Sequence, residues 1–347
     1  MTNTPATVER APETEEPHNR PARRANADFK VVLGMAAVVV TAAVIALSTI
    51  RQSSVMVYRP EAPDPNPSPW GYTVSLALFI IPVAVLKIWF LRHPQYPVEK
   101  KPYWLTMLIL TPLGFGLDLF FGDSFFEFPN QAATLGVRLP GYTFGVGWLI
   151  DRIPLEEFLF YFAGFLAILL IYVWGNIYWF GSYDFDDYHQ GALQVKRIIN
   201  FHWPLAALAV ALIVGGILFK KFAAPPGYQA GFPGYFTFMV IAGIVPTIAL
   251  YKTVKPFINW RAFSFSLFAL LFLSLLWEGA LGTPYGWWDY QPETMLGLVI
   301  RPLNNLPIEA VCLWFIATWL SLTVYEVVKI AVHMQRGFWE ALFGKKS

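Results

Sequence analysis

The sequence predicts an all-α, polytopic membrane bundle of about eight transmembrane helices: two parallel three-helix repeats, a connecting helix and an extra N-terminal helix. Three observations predict it. Hydrophobic residues make up 56% of the 347-residue chain and charged residues only 14%, against roughly a quarter charged in an average soluble domain. Eight stretches approach the roughly 20 apolar residues that a bilayer core demands. The second half of the chain also restates, in order, a pattern of the first. A mean hydropathy of +0.47 excludes a disordered chain, a nucleic-acid binder and an ordinary soluble enzyme. The net charge of +2 is too small to imply a polyanionic partner.

Residues 1–30 form a polar tail rich in Pro, Glu and Arg without apolar periodicity, expected to be disordered and cytoplasmic. Residues 31–50 follow as a transmembrane anchor. They are not read as a signal peptide, because they sit behind a long polar tail and lack a small-x-small cleavage site. The remaining spans are predicted at 72–91, 104–121, 154–174, 203–219, 235–251, 262–278 and 308–328. Residues 72–174 then make the first repeat, 203–219 the connecting helix, 235–330 the second repeat and 331–347 a second cytoplasmic tail. Seventeen Lys and Arg fall on the side of the N-terminus and seven on the other, with Lys87 inside a helix. This imbalance places both termini in the cytoplasm.

The repeat rests on four features in the same order. Asp118 and Glu278 lie towards the ends of their helices. FFEFPNQAATLGV (Phe125–Val137) and WWDYQPETMLGLV (Trp287–Val299) follow them. Pro154-Leu155-Glu156 and Pro307-Ile308-Glu309 open the next helices. Equivalent helices are four apart, so the two units face the same way, as parallel repeats do, and both aromatic-acidic loops lie on the outer side.

Glu156, Glu157 and Glu309 sit in the first turn of their helices, where proline and glutamate are ordinary helix-start residues. An acid at the hydrocarbon edge is nonetheless costly and commonly marks function. The helix dipole favours the carboxylate by about 0.3–1 kcal/mol, whereas desolvation favours the neutral acid by up to ~3–5 pKa units. In an apolar pocket desolvation wins, and these side chains become proton donors. Asp118 and Glu278 are candidates of the same kind, against the simpler reading of interfacial carboxylates. Phe125, Phe126, Trp287, Trp288 and Tyr290 serve either as interfacial anchors or as ring faces that stabilise a cation. Acids beside aromatic faces suit the protonation of an alkene.

Other chemistries are absent. Cys312 is the only cysteine and the five histidines are scattered, so no disulfide framework and no metal site is expected. Gly114-x-Gly116 and Gly145-x-Gly147 lack the third glycine of a dinucleotide site. Asp184, Asp186 and Asp187 form a run without a second acidic cluster and are read as a solvated turn.

The ordered set of a membrane acid, an aromatic-acidic loop, a Leu-Gly step and Pro-x-Glu resembles the integral-membrane lycopene cyclases. RIPLEEFLFY (Arg152–Tyr161) is its most specific piece, and the match spans roughly residues 72–330. In that family two three-helix polypeptides pair, or are fused through an extra helix. The resemblance implies a redox-neutral isomerase, an intramolecular lyase of carotenoid biosynthesis. It would sit in a bacterial-type inner membrane and need no cofactor and no nucleic acid. It protonates a terminal isoprene double bond of a linear, lipophilic carotenoid and closes a β-type ring. It implies catalytic roles for Glu156, Glu157 and Glu309, and for Asp118 and Glu278 by position. Membrane lipid and other carotenoid-pathway enzymes are the expected partners. The chain departs from the family where Glu309 is followed by Ala310 instead of a second acid, and where Gly141–Gly147 lengthens the first loop. Two alternatives remain: a non-catalytic or diverged membrane partner in isoprenoid metabolism, and a proton-coupled carrier.

Overall fold

The computed structural model of the chain describes residues 68–93, 98–179 and 185–344, with a few more between 33 and 44. The predicted tail 1–30 and most of the predicted anchor 31–50 lie outside the described residues. The chain is mostly helical, at 71%, and seven of the described helices are long and apolar enough to cross a membrane. They belong to an integral membrane protein.

In chain order the helices are α1 (Gly71–Arg92), α2 (Lys100–Phe125), α3 (Leu155–Trp174), α4 (Phe185–Gln194), α5 (Trp203–Phe222), α6 (Gly234–Val254), α7 (Trp260–Trp277), α8 (Ile308–His333) and α9 (Phe338–Phe343). One π-helical turn extends α3 (Gly175–Trp179) and another extends α7 (Glu278–Gly282). The helices run beyond the predicted spans, most clearly at α2 and α8, because polar residues at a bundle end stay helical where they are buried against neighbours. Two short helices were not foreseen. Phe185–Gln194 replaces part of the expected solvated turn, so Asp186 and Asp187 stand on α4 while Asp184 lies outside the described residues. Phe338–Phe343 interrupts the expected tail.

The pattern inverts that of a soluble protein. Leu78, Leu108 and Phe272 face outward at 64–70% exposure, as lipid contact requires. Small polar side chains such as Thr106, Ser264, Ser266 and Ser321 are buried between helices, where their size lets backbones approach. Helices α3 and α8 form the centre. α3 packs on α1, α2, α7 and α8, while α8 packs on α6, α7, α2 and α3; α5 covers α6.

Among the described residues six short strands depart from the all-helical expectation. They are β1 (Phe126–Glu127), β2 (Arg138–Thr143), β3 (Gly147–Pro154), β4 (Asp289–Tyr290), β5 (Val299–Ile300) and β6 (Leu306–Pro307). All lie in loops at one end of the bundle and pair antiparallel as β1–β4, β2–β3 and β5–β6. The long first loop is thus a β2–β3 hairpin. It is tied to the end of α2 by Arg152 Nε on Asp123 Oδ1 at 2.7 Å and by the Thr143 hydroxyl on the same carboxylate. At the opposite end, Glu326 accepts the hydroxyls of Tyr172 and Tyr188 at 2.7 Å each. Glu99 there takes Lys329 at 3.0 Å and His333 at 2.7 Å.

Candidate active site

The two aromatic-acidic loops meet each other. Phe126 pairs with Tyr290 and Glu127 with Asp289. Beyond them the Asn130 amide donates to Gly286 O and the Gln291 amide to Phe125 O, both at 3.0 Å. Each loop then makes one 3-10 turn and reaches its Leu-Gly step, where Gly136 (φ +80°) and Gly297 (φ +89°) occupy the left-handed region that residues with a Cβ avoid. The preceding leucine amides point at the next helix. Leu135 N–H donates to Glu156 Oε1 at 2.8 Å, and Leu296 N–H to Glu309 Oε1 at 2.5 Å. The Leu155 and Ile308 amides return the contact to Val137 O and Leu298 O. The Leu-Gly and Pro-x-Glu pieces therefore form one clasp, made twice.

This geometry separates the predicted carboxyls. Glu156 and Glu309 are fully buried and hold the clasps; Glu156 also accepts the Thr73 hydroxyl at 2.5 Å. The Oε2 atom of each is buried with no hydrogen-bond partner among the described residues. Neither side chain lines the central hollows described next.

Glu157 and Glu278 share a hollow with Phe126, Trp288 and Tyr290. Glu157 Oε1 accepts the Tyr72 hydroxyl at 2.6 Å. Glu278 accepts three bonds, from Ser274 Oγ at 2.6 Å, Trp314 Nε1 at 3.1 Å and Tyr290 OH at 2.5 Å. Aromatic rings close the space. Tyr72 stacks on Trp287 with centroids 5.8 Å apart and an 11° tilt, and lies 5.2 Å from Trp288. Trp287 itself stands behind Tyr72, its indole N–H on Ser68 Oγ at 2.9 Å. At about 30 Å³ the hollow holds little more than one water's share of volume.

Asp118 and Phe125 line an adjoining hollow of about 80 Å³, with Phe126, Phe121, Tyr235 and Phe238. Both Asp118 oxygens and the Tyr235 hydroxyl are buried without a hydrogen-bond partner among the described residues. Phe126, Tyr161 and Leu313 line both hollows and form the partition between them.

Tyr72, Phe160, Tyr161, Tyr235, Leu313 and Trp314 join the site without having been expected from the sequence. Two signals were present. Phe160 and Tyr161 are three and four residues after Glu157, hence on its face of the helix. Tyr72 and Tyr235 each follow a glycine at the start of α1 and α6. Nothing local marked Trp314 as a donor to Glu278.

The loop charges follow the same burial. Desolvation raises the Asp289 carboxyl above the usual aspartate range despite the Tyr290 amide it accepts, and Glu127 across the ribbon adds to the rise. Among the described residues no group of His, Cys, Asp and Glu has the arrangement of a metal site. Comparison with known protein families, with curated protein sequences and with solved structures finds no match to this chain.

Proposed function

We propose that the protein is a carotenoid cyclase of the lycopene type, acting inside the bilayer on the end of a linear isoprenoid. One observation carries this reading: two buried carboxyls, Glu157 and Glu278, share a water-poor hollow walled by Phe126, Phe160, Trp288 and Tyr290. Glu157 gives its proton to the terminal double bond and a tertiary cation forms. The ring faces and the Glu278 carboxylate stabilise it. The neighbouring double bond attacks, and the proton lost from the ring returns to a carboxylate, so no electrons are exchanged. Admission of an isoprene end requires Leu313 and Tyr161 to turn aside and join the hollows.

On this reading the chain is duplicated, with α1–α3 and α6–α8 as parallel repeats, α5 as the connector and residues 31–50 as an eighth helix. Both clasps, the antiparallel meeting of the two loops and the matching contacts of α3 and α8 support that layout. Tyr72 and Glu157 then correspond to Tyr235 and Ala310. The Glu157 hollow is the equipped site, and the Asp118 hollow lacks one acid and accommodates the chain that leads from the reacting end. The N- and C-termini are assigned to the cytoplasm of a bacterial-type cell.

Expression of the full chain in a lycopene-accumulating bacterial host tests the proposal. The pigment should shift from red to orange-yellow, with cyclic products on chromatography. Unchanged lycopene beside abundant, membrane-inserted protein would overturn it.

A further inference from the structure

The end of the bundle opposite the carboxyl hollows carries a much larger cavity, of about 850 Å³. Three distant pieces of chain converge on it: residues 195–200 between α4 and α5, residues 252–257 at the end of α6 and just beyond it, and residues 336–344 after α8. Lys196, Arg197, Lys252 and Arg336 line it, and among the described residues no Asp or Glu does. Basic residues flanking spans on one side are usual in membrane proteins. They do not by themselves converge on one concavity, and here they are held there. Arg336 Nη1 donates to Val195 O and Lys196 O, both at 3.1 Å. Arg197 Nε donates to Asn200 Oδ1 at 3.1 Å, and Asn200 Nδ2 donates to Thr253 Oγ1 at 2.7 Å.

We infer that this cavity is a binding site for a phosphate-bearing anion at the membrane surface. Each guanidinium carries five N–H donors in a planar fork. The bonds just named orient both forks, and their other donors have no partner among the described residues. A fork of this kind matches phosphate oxygens in pairs. The two lysines add charge without directional demand. Phe257 and Phe343 give the cavity an apolar wall, which suits an anion attached to a hydrocarbon. Its position at the end of seven apolar helices is where lipid headgroups lie, and basic pockets between spanning helices take up such headgroups. Two sources share this chemistry: an anionic phospholipid, and a free diphosphate.

Native mass spectrometry of the detergent-purified full chain distinguishes them. The chain is offered phosphatidylglycerol and phosphatidylcholine at equal concentration and, separately, inorganic diphosphate. The comparison is the Lys196→Gln/Lys252→Gln double variant, which removes charge while sparing the side-chain bonds that hold Arg197 and Arg336. Retention of phosphatidylglycerol over phosphatidylcholine by about fivefold or more, falling to below about twofold in the variant, supports a lipid headgroup site. Diphosphate adducts lost in the variant, without lipid preference, support a soluble ligand. The same preference, measured on the unaltered chain, should fall as salt rises from about 50 to 500 mM, which keeps the test decisive if the variant does not fold. Binding without preference for either anion, or a preference that survives both the double substitution and the salt, overturns the inference. Its outcome is independent of the pigment assay.

Discussion

In the hollow bounded by Tyr72, the tyrosine hydroxyl meets Glu157 at 2.6 Å and three donors meet Glu278. In the adjoining hollow, the Tyr235 hydroxyl and both oxygens of Asp118 are buried with no partner among the described residues. The parts otherwise correspond: a tyrosine at the start of a helix, an acid near the end of another, and a Pro-x-Glu clasp behind each. On the proposed duplication Ala310 corresponds to Glu157, so the second unit lacks an acid at that position. On that correspondence, an acid at position 310 would be the acceptor that the Tyr235 hydroxyl lacks. In the satisfied hollow the hydrogen bonds fix both carboxyl groups in place. The unsatisfied one holds polar atoms at a cost, since a buried polar group without a partner loses about 1–3 kcal/mol.

The largest effect that separates the two hollows is on turnover. In the lycopene host, Glu157→Gln is expected to lower cyclic product by about 100-fold or more, the usual contribution of a general acid. Asp118→Asn is expected to leave it within about threefold. Product yields normalised to protein decide the matter, and the reverse ranking would move the chemistry to the Asp118 hollow.

The next effect is on stability and uses one substitution in both places. Tyr72→Phe strips Glu157 of its donor and is expected to destabilise the detergent-solubilised protein by about 1–3 kcal/mol. Tyr235→Phe removes a hydroxyl that has no partner and is expected to be neutral or stabilising. Thermal melts of the two variants side by side check the contrast. Equal losses would mean that Tyr235 is satisfied after all.

The smallest effect lies in the ribbon that joins the loops, where Asp289 faces Glu127. The folded state holds the Asp289 carboxyl above its ordinary value, so it binds the proton more readily when folded than unfolded. Its ionisation therefore opposes folding above the raised value and has no effect below about pH 4, where the acid is protonated in both states. Asp289→Asn should raise the melting temperature at pH 8 by an amount corresponding to roughly 0.2–1 kcal/mol, and the gain should vanish near pH 3.

Much of the scaffold was legible in the chain because spanning helices are written in composition. A run of apolar residues must satisfy its backbone internally in lipid, and only a helix does so locally. Helices 203–222 and 234–254 were therefore located to within three residues at every end. The β ribbons were not legible. Strands of two residues such as Phe126–Glu127 have no period to detect, and their pairing partner lies some 160 residues away. At the site, the residue types were readable but the division of labour was not. Adjacent first-turn glutamates, Glu156 and Glu157, look alike in sequence. A helix turns about 100° per residue, so one faces the Leu-Gly clasp and the other the hollow.

What the sequence determined alone is the class of solvent around the helices, the matching motifs of the two halves and the absence of a second acid at position 310. Each is a property of composition or of local order. Only the tertiary structure decided which carboxyls share a space, that Tyr72 and Tyr235 stand beside them, and that four cations from three separate segments enclose one cavity. Those are distances between residues far apart in the chain, and helix packing sets them.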